Sequence, residues 1–388
     1  MSAAVSALSL AIFGCGDSGT DAEQTTAGNL PSEIVIGAAI GKTGYMAPYD
    51  ASVAAIEYLA DRANARGGID GHKIRVVQAD TRSEPQQAVI AAEKVIERGA
   101  DLLFLSGEAL TAAAEAPVAE ENGMLNFAVV NEPGYGPPTT GELSFSSNPS
   151  LLSEVGSGAT FLHERGYRRP FLLRDTSLIY GKAACSGFEQ TWQWLGGQIA
   201  GSADFTNSDE SVATQVNELQ RSAADSIVIC SYPPGGAAAI KQIRAAGIDL
   251  PIYATGTFDG TFWTKGIDTS NLYVTTNGST YDPPDPHTAR LLNRLRRTGV
   301  DTDYSNNLLA AYAAGQLMLA AIRETGSVDG KRLAAALEAK PHHTAVGAIT
   351  YSPDDHYPTR TWPVYVFAGG TEHFLAKVKP AYVGEYGG

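Results

Sequence analysis

The stretch EIVIGAAIGKTGYMAPYDASVAAIEYLADRANARGGIDGHKIRVVQAD, residues 33–80, decides the fold. Ile34, Val35, Ile36, Ala38, Ala39 and Ile40 form a nearly unbroken apolar run, as a strand covered on both faces requires. Gly41, Thr43 and Gly44 permit a sharp turn with exposed N–H groups, and Asp50 or Ser52 is placed to cap the helix that follows. Val53, Ile56, Leu59 or Ala60, and Ala63 recur at helical spacing, leaving Glu57, Asp61, Arg62 and Arg66 for water. Gly67 and Gly68 stop the helix, and Ile74, Val76 and Val77 restart a strand. The result is a βαβ unit, which implies an α/β protein with helices on the faces of a parallel sheet.

Working outward, the alternation continues. A helix with Val89, Ala92 or Glu93, and Val95 or Ile96 as its periodic core precedes a strand at 101–105, and a helix at 109–122 is interrupted or begun near Pro117. A strand at 125–130 and a Gly- and Pro-rich loop at 131–140 complete one lobe of doubly wound type. Residues 145–149 read as a crossing, because the pattern then begins afresh. Strands are expected at 170–173, 198–205, 226–230 and 252–255, with helices at 151–165, 182–195, 212–221 and 237–246. A strand at 271–276 leads back toward the first lobe. Helices at 288–297, 308–324 and 328–339 follow, then strands at 346–351 and 364–368 around an acidic turn at 352–355. Residues 381–388 are polar and expected to be loose.

At 388 residues the chain is long enough for two compact domains. Its net charge of -14 excludes a general nucleic-acid backbone binder, which needs concentrated Lys and Arg. No internal stretch approaches the ~20 apolar residues of a membrane helix. The N-terminal residues SALSLAIFGCG resemble the end of a bacterial lipoprotein signal, with Cys15 as the acylated anchor. No basic residue precedes the apolar run, although a secretory signal normally has a basic start, so a start further upstream is expected. On this reading 1–31 is leader and linker, and the protein works at the extracellular face of the cytoplasmic membrane or in the periplasm, associated with the membrane through its lipid. With Cys15 lipidated, Cys185 and Cys230 either pair or remain buried thiols.

Five segments carry a family resemblance: IVIGAAIGKTG, NARGGIDGHKIRVVQADTRSEPQQAVIAAEKVI, DTSLIYGKAACSGFEQ, IKQIRAAGIDLPIYATG and VGAITYSPDDH. Over residues 33–370 the chain resembles the type I periplasmic-binding-fold solute-binding proteins of ABC transporters, in the leucine/isoleucine/valine-binding family. The resemblance implies two doubly wound, Rossmann-like α/β lobes joined by three crossovers, closing like a Venus flytrap on a ligand that is handed to a membrane permease. The lobes would be 32–147 plus 275–345, and 148–274 plus 346–380. No catalysis, cofactor, metal or nucleic acid is implied.

The resemblance also nominates ligand-binding positions. In the first lobe these are Tyr45 and Met46, then Glu108, Ala109 and Leu110, then Asn131 and Glu132. Branched-chain amino-acid binders keep a Ser/Thr cluster at 107–111 for the ligand carboxylate, whereas here Thr111 is the first hydroxyl. Acidic side chains there repel a carboxylate and suit an amine, a hydroxyl-rich ligand or a bridging cation. In the second lobe the positions are Tyr180, Tyr232, Thr257, Phe258 and Asp259, with Trp263 as a further wall; Asn277 and Asn306 return toward the cleft. Aromatic walls with few polar anchors characterise small-ligand pockets. Gly41–Gly44 is not GxGxxG, and GxSxG, HExxH and P-loop motifs are absent. His342, His343 and His356 lack the company of a metal site. The expected ligand is a small polar or aromatic metabolite, amino-acid-like or amide-like, with no turnover. A ligand-sensing receptor of the same fold, coupled to a signalling partner, is the alternative.

Overall fold

Strand β1 (Glu33–Ile40) is buried along all but its first residue and pairs in parallel with β2 (Lys73–Asp80) and β3 (Leu102–Phe104). This arrangement comes from a computed structural model that describes residues 30–358 and 360–385. β4 (Asn126–Ala128) and β5 (Ser144–Ser146) complete a parallel sheet of order β2-β1-β3-β4-β5. Phe145 is therefore the middle of a fifth strand rather than part of a crossing. Ile34, Ile36 and Ala38 pack on one face against Ile56, Leu309 and Leu317, while Ala39 and Leu103 pack on the other against Ala91, Val95 and Ala112. Covering on both faces is why the strand sequence does not alternate.

Helical structure begins earlier than expected, at Ala47–Asp50, continuing through Ala51–Val53 and Ala54–Asn64. Neither Asp50 nor Ser52 caps it; Asp50 is buried beneath the glycine turn. Pro117 lies inside the helix Ala109–Glu121 without ending it. At the Gly-Gly-Ile-Asp-Gly turn, Gly68 has φ +87°, and a Cβ there would stand 1.9 Å from the His72 carbonyl oxygen. Only glycine fits that approach.

The second sheet has the order β14-β13-β10-β9-β8-β6-β7. It contains β6 (Pro170–Asp175), β7 (Gly201–Phe205), β8 (Ser226–Cys230), β9 (Ile252–Ala254), β10 (Leu272–Thr275), β13 (Trp362–Ala368) and β14 (Thr371–Val378). The first five are mutually parallel, and β13 and β14 extend the sheet antiparallel. β14 has no counterpart in the sequence reading. A small hairpin, β11 (His342–Thr344) with β12 (Gly347–Ile349), stands apart.

The chain passes between lobes three times. After β5 it reaches helix Leu151–Glu164, which packs in the second lobe. After β10 it returns: helices Pro286–Arg297, Ser305–Thr325 and Gly330–Glu338 join the first-lobe core. The third crossing lies later than residue 345. Ile349 and Tyr351 belong to the first core, the Tyr351 hydroxyl donates to the Ser146 carbonyl at 2.6 Å, and His356 stacks on Phe145 at 3.6 Å. Two crossings touch each other: Asn277 Nδ2 donates to Asn148 Oδ1 at 2.7 Å and to the Asn306 carbonyl at 2.9 Å. Residues 381–385 are tied down rather than loose, with Ala381 N–H bonded to Thr160 Oγ1 and Glu385 N–H to Gln190 Oε1. The leader, including Cys15, lies outside the described residues.

Candidate functional site

Between the lobes, at the C-terminal ends of strands from both sheets, lies a cavity of the kind doubly wound folds use for ligands. The first lobe contributes Tyr45, Met46, Tyr49, Gly107, Glu108, Val129, Asn131 and Glu132. Asn148 comes from the first crossing, and Glu154, Leu178, Tyr180, Tyr232 and Thr257 from the second lobe. Tyr304, Asn306 and Asn307 enter at the start of helix Ser305–Thr325. The lobes leave a cavity of about 60 Å³ between them. Tyr45 and Tyr232 meet across the mouth with ring centroids 6.4 Å apart.

Each strand-end loop is braced from beneath. Asp50 Oδ2 accepts from Gly41 N–H and Ser106 Oγ, both at 2.7 Å, and its Oδ1 accepts from Gly107 N–H at 2.9 Å. Burial still pushes this carboxyl up to about 6. In the second lobe Asp175 Oδ2 accepts from Ser231 Oγ at 2.6 Å and Asn207 Nδ2 at 2.9 Å. A disulfide between Cys185 and Cys230 adds a covalent tie. It joins the helix Ile179–Trp194, whose second residue is Tyr180, to the strand that ends two residues before Tyr232, so both aromatic residues are held to one frame.

The acidic groups differ in how they are satisfied. Glu108 caps helix Ala109–Glu121, accepting from Leu110 N–H, Thr111 N–H and Thr111 Oγ1 at 2.8–3.0 Å. Glu154 accepts from Gly256 N–H at 2.6 Å, Asn131 Nδ2 at 2.9 Å and Thr275 Oγ1 at 3.3 Å, so it touches both lobes. Burial raises it to about 7 in spite of those donors. Glu132 accepts from main-chain N–H groups of its own turn, with Asn131 N at 3.2 Å. Burial first, and then the nearby Glu108 charge, push Glu132 up to about 8. Burial also holds the Tyr45, Tyr49 and Tyr180 phenols above their ordinary range. None of the described residues lining the cavity is Lys, Arg or His. No group of three or more metal-ligating side chains occurs among the described residues, and none of their helices is long and apolar enough to cross a membrane.

Of the positions nominated from sequence, Tyr45, Met46, Glu108, Asn131, Glu132, Tyr180, Tyr232, Thr257 and Asn306 line this cavity. Six do not. Ala109 is buried in the first-lobe core, and Leu110 turns outward, 51% exposed, because each helical residue rotates the side chain by about 100°. Phe258 lies in the second-lobe core edge-on to Trp263, so neither forms a cleft wall. Asp259 is fully buried, accepting from Thr276 Oγ1 and Asn306 N–H, and serves the second crossing. Asn277 is occupied by Asn148 and Asn306. Sequence reading missed Val129, Asn148, Glu154, Leu178, Tyr304 and Asn307. Leu178, two residues before Tyr180, carried a usable signal; the others arrive from strand ends, crossings and helix starts with none.

A family model described as periplasmic binding protein matches residues 33–371. The Leu/Ile/Val-binding protein BraC3 of Rhizobium johnstonii is 25% identical over 351 residues, covering 87% of this chain and 93% of its own. The amino acid binding protein of Pseudomonas aeruginosa is 22% identical over 355 residues, covering 86% and 90%. Among solved structures, the branched-chain amino acid transporter substrate-binding protein LivJ from Streptococcus pneumoniae, in complex with isoleucine, superposes with TM-score 0.80 at 20% identity over 90% of this chain and 100% of the other. A solute-binding protein of an ABC transporter from R. palustris, in complex with benzoate, gives 0.75 at 19% identity over 91% and 98%. The chain belongs to the periplasmic binding protein family: it is a solute-binding protein working on the periplasmic or extracellular side.

Proposed function

We propose that the inter-lobe cavity is the solute site, that it takes a small polar or aromatic-bearing molecule, and that closure of the lobes presents this molecule to the permease. The observation that carries the reading is the meeting of both lobes around one cavity, with Tyr45 of one and Tyr232 of the other across its mouth. A ligand there bridges the two lobes and favours the closed state by its extra contacts. The contact set comprises Tyr45, Met46, Glu108, Asn131, Glu132, Tyr180, Tyr232 and Thr257, joined by Tyr49, Asn148, Glu154, Tyr304, Asn306 and Asn307. Thermal unfolding against amino acids, amides, polyols and aromatic acids tests it. A true ligand at a hundred times its Kd stabilises by about 2.7 kcal/mol; no shift with any compound, together with turnover of one, would overturn the reading.

Leucine itself is expected to bind poorly. BraC3 and the Pseudomonas aeruginosa relative are named for binding amino acids, but here Glu108 stands where a hydroxyl cluster would receive the ligand carboxylate, and its oxygens face helix N–H groups. Calorimetry giving micromolar or tighter leucine affinity refutes this. The same reading includes a lipid anchor at Cys15. Cys15→Ser should move the protein from the membrane fraction to the soluble fraction and abolish labelling by a radioactive fatty acid.

A further inference from the structure

We infer that the cleft is built for a small organic cation, an amine without a carboxylate. The inference rests on the cavity being the solute site and adds the ligand's charge. Three carboxyl side chains, Glu108, Glu132 and Glu154, reach the cavity, and none of its described lining residues is basic. Glu108 and Glu154 have their oxygens filled by hydrogen bonds from protein groups. Among the described residues Glu132 accepts from main-chain N–H groups and has no cationic partner, although it is buried. An uncompensated buried carboxylate is costly, and a bound ammonium is the group that offsets it.

A second observation is independent of the acids. Tyr49 lines the same cavity with only 6% of its surface exposed, and among the described residues its hydroxyl has no hydrogen-bond partner. A buried hydroxyl without a partner is rare in folded proteins and marks a place where a ligand group belongs. With Tyr45, Tyr180, Tyr232 and Tyr304 it makes five phenol rings around the space. Ring faces attract cations, most strongly where water is excluded. An acid ligand would meet repulsion from Glu132 and Glu108 and find no Lys or Arg in the lining to answer it.

The charge state of Glu132 supports the assignment and gives it a signature. The titratable groups facing it are Glu108 after β3, Glu154 on helix Leu151–Glu164, Tyr45 on the first loop and Tyr180 of the second lobe. Arg360 acts on Glu154 but does not line the cavity. With Glu132 held near 8, its proton is largely in place at neutral pH. A bound cation lowers that value, so binding expels the proton. Affinity should rise with pH from 6 to about 8, approaching tenfold per pH step.

The test uses the purified chain with tyramine and choline as cationic probes, and zwitterionic leucine and anionic benzoate as comparators that carry a carboxylate. Calorimetry is run in two buffers of different ionisation heat. Expected results are binding of at least one cation, proton release on binding at pH 7, and a loss of about thirtyfold or more in Glu132→Gln. Tyr49→Phe should weaken the primary amine and leave the quaternary one nearly unchanged. Glu132→Gln keeps the side chain's size, and its unliganded unfolding curve controls for folding; Glu132→Asp serves as the second variant. Leucine or benzoate binding while both cations fail overturns the inference and leaves the inter-lobe site standing. Cation binding unaffected by Glu132→Gln also overturns it. Failure of every compound in the wider library overturns the inference and the site together.

Discussion

The two walls of the cleft are braced by the same device and then diverge. Asp50 in the first lobe and Asp175 in the second are each buried, and each holds a serine hydroxyl, Ser106 or Ser231, at the end of a neighbouring strand. Beyond that, the second lobe adds a covalent link, Cys185–Cys230, and turns its one cavity-lining carboxyl, Glu154, into a fully hydrogen-bonded tie. The first lobe adds no covalent link; instead it leaves Glu132 facing the cavity without a cation. Buried acids are thus of two kinds here. One kind is satisfied by the fold and holds loops in place. The other is incomplete until something else arrives.

The largest expected effect tests the bracing. Closing a loop between residues 45 apart in sequence removes denatured-state freedom, so replacing both cysteines by alanine should cost about 4 kcal/mol. Urea unfolding followed by fluorescence of Trp192, which lies in the core around the disulfide, checks this. An unchanged midpoint would mean the covalent tie is not what distinguishes the second lobe. Next, Asp50→Ala strips the acceptor from two N–H groups and one hydroxyl and should cost about 3 kcal/mol. Asp175→Ala should cost less while the disulfide is intact, and about as much once it is gone; equal costs throughout would show the two braces to be independent.

The smallest effect is in the opposite direction. Glu132 binds a proton more tightly in the folded protein, near 8, than in the unfolded chain, near 4.5. The folded state therefore holds a proton that the unfolded state lacks between those values, and stability falls as pH rises through that window. Glu154, near 7, and Asp50, near 6, act in the same sense. The ligand-free protein should be most stable near pH 5. Glu132→Gln should be near neutral there and more stable than the parent at pH 8.5. Thermal unfolding across that range decides it; a variant less stable than the parent at pH 8.5 would place Glu132 with the satisfied acids.

The fold was legible because its strands are short, apolar and covered twice, so runs such as 34–40 and 226–230 cannot be read as anything half-exposed. β14 was not legible. Its sequence TEHFLAKV mixes His373 and Lys377 with apolar residues, and it lies at the edge of the sheet, where half of each residue meets water. In the site, side chains on strand-end loops were readable, since Tyr45, Glu132 and Tyr232 sit where the architecture exposes them. Asp259 and Phe258 were misplaced by the same reading, because the short helical turn Gly256–Phe258 rotates them into the core behind Thr257. Asn148, Glu154 and Tyr304 depend on how the crossings bring the lobes together, which local sequence does not encode.

The bond between Asn148 and Asn277 also bears on mechanics. Two linkers coupled at this bond, one of them also seated through Asn277 on the start of helix Ser305–Thr325, resist counter-rotation. They behave as a pin and not as a universal joint. Bending about the pin stays soft while twisting about the long axis is stiff, so the lobes travel along a single coordinate. One spectroscopic ruler laid from the Tyr45 side to the Tyr232 side would then report the whole opening path, and a second ruler elsewhere on the rim would move in strict proportion to it.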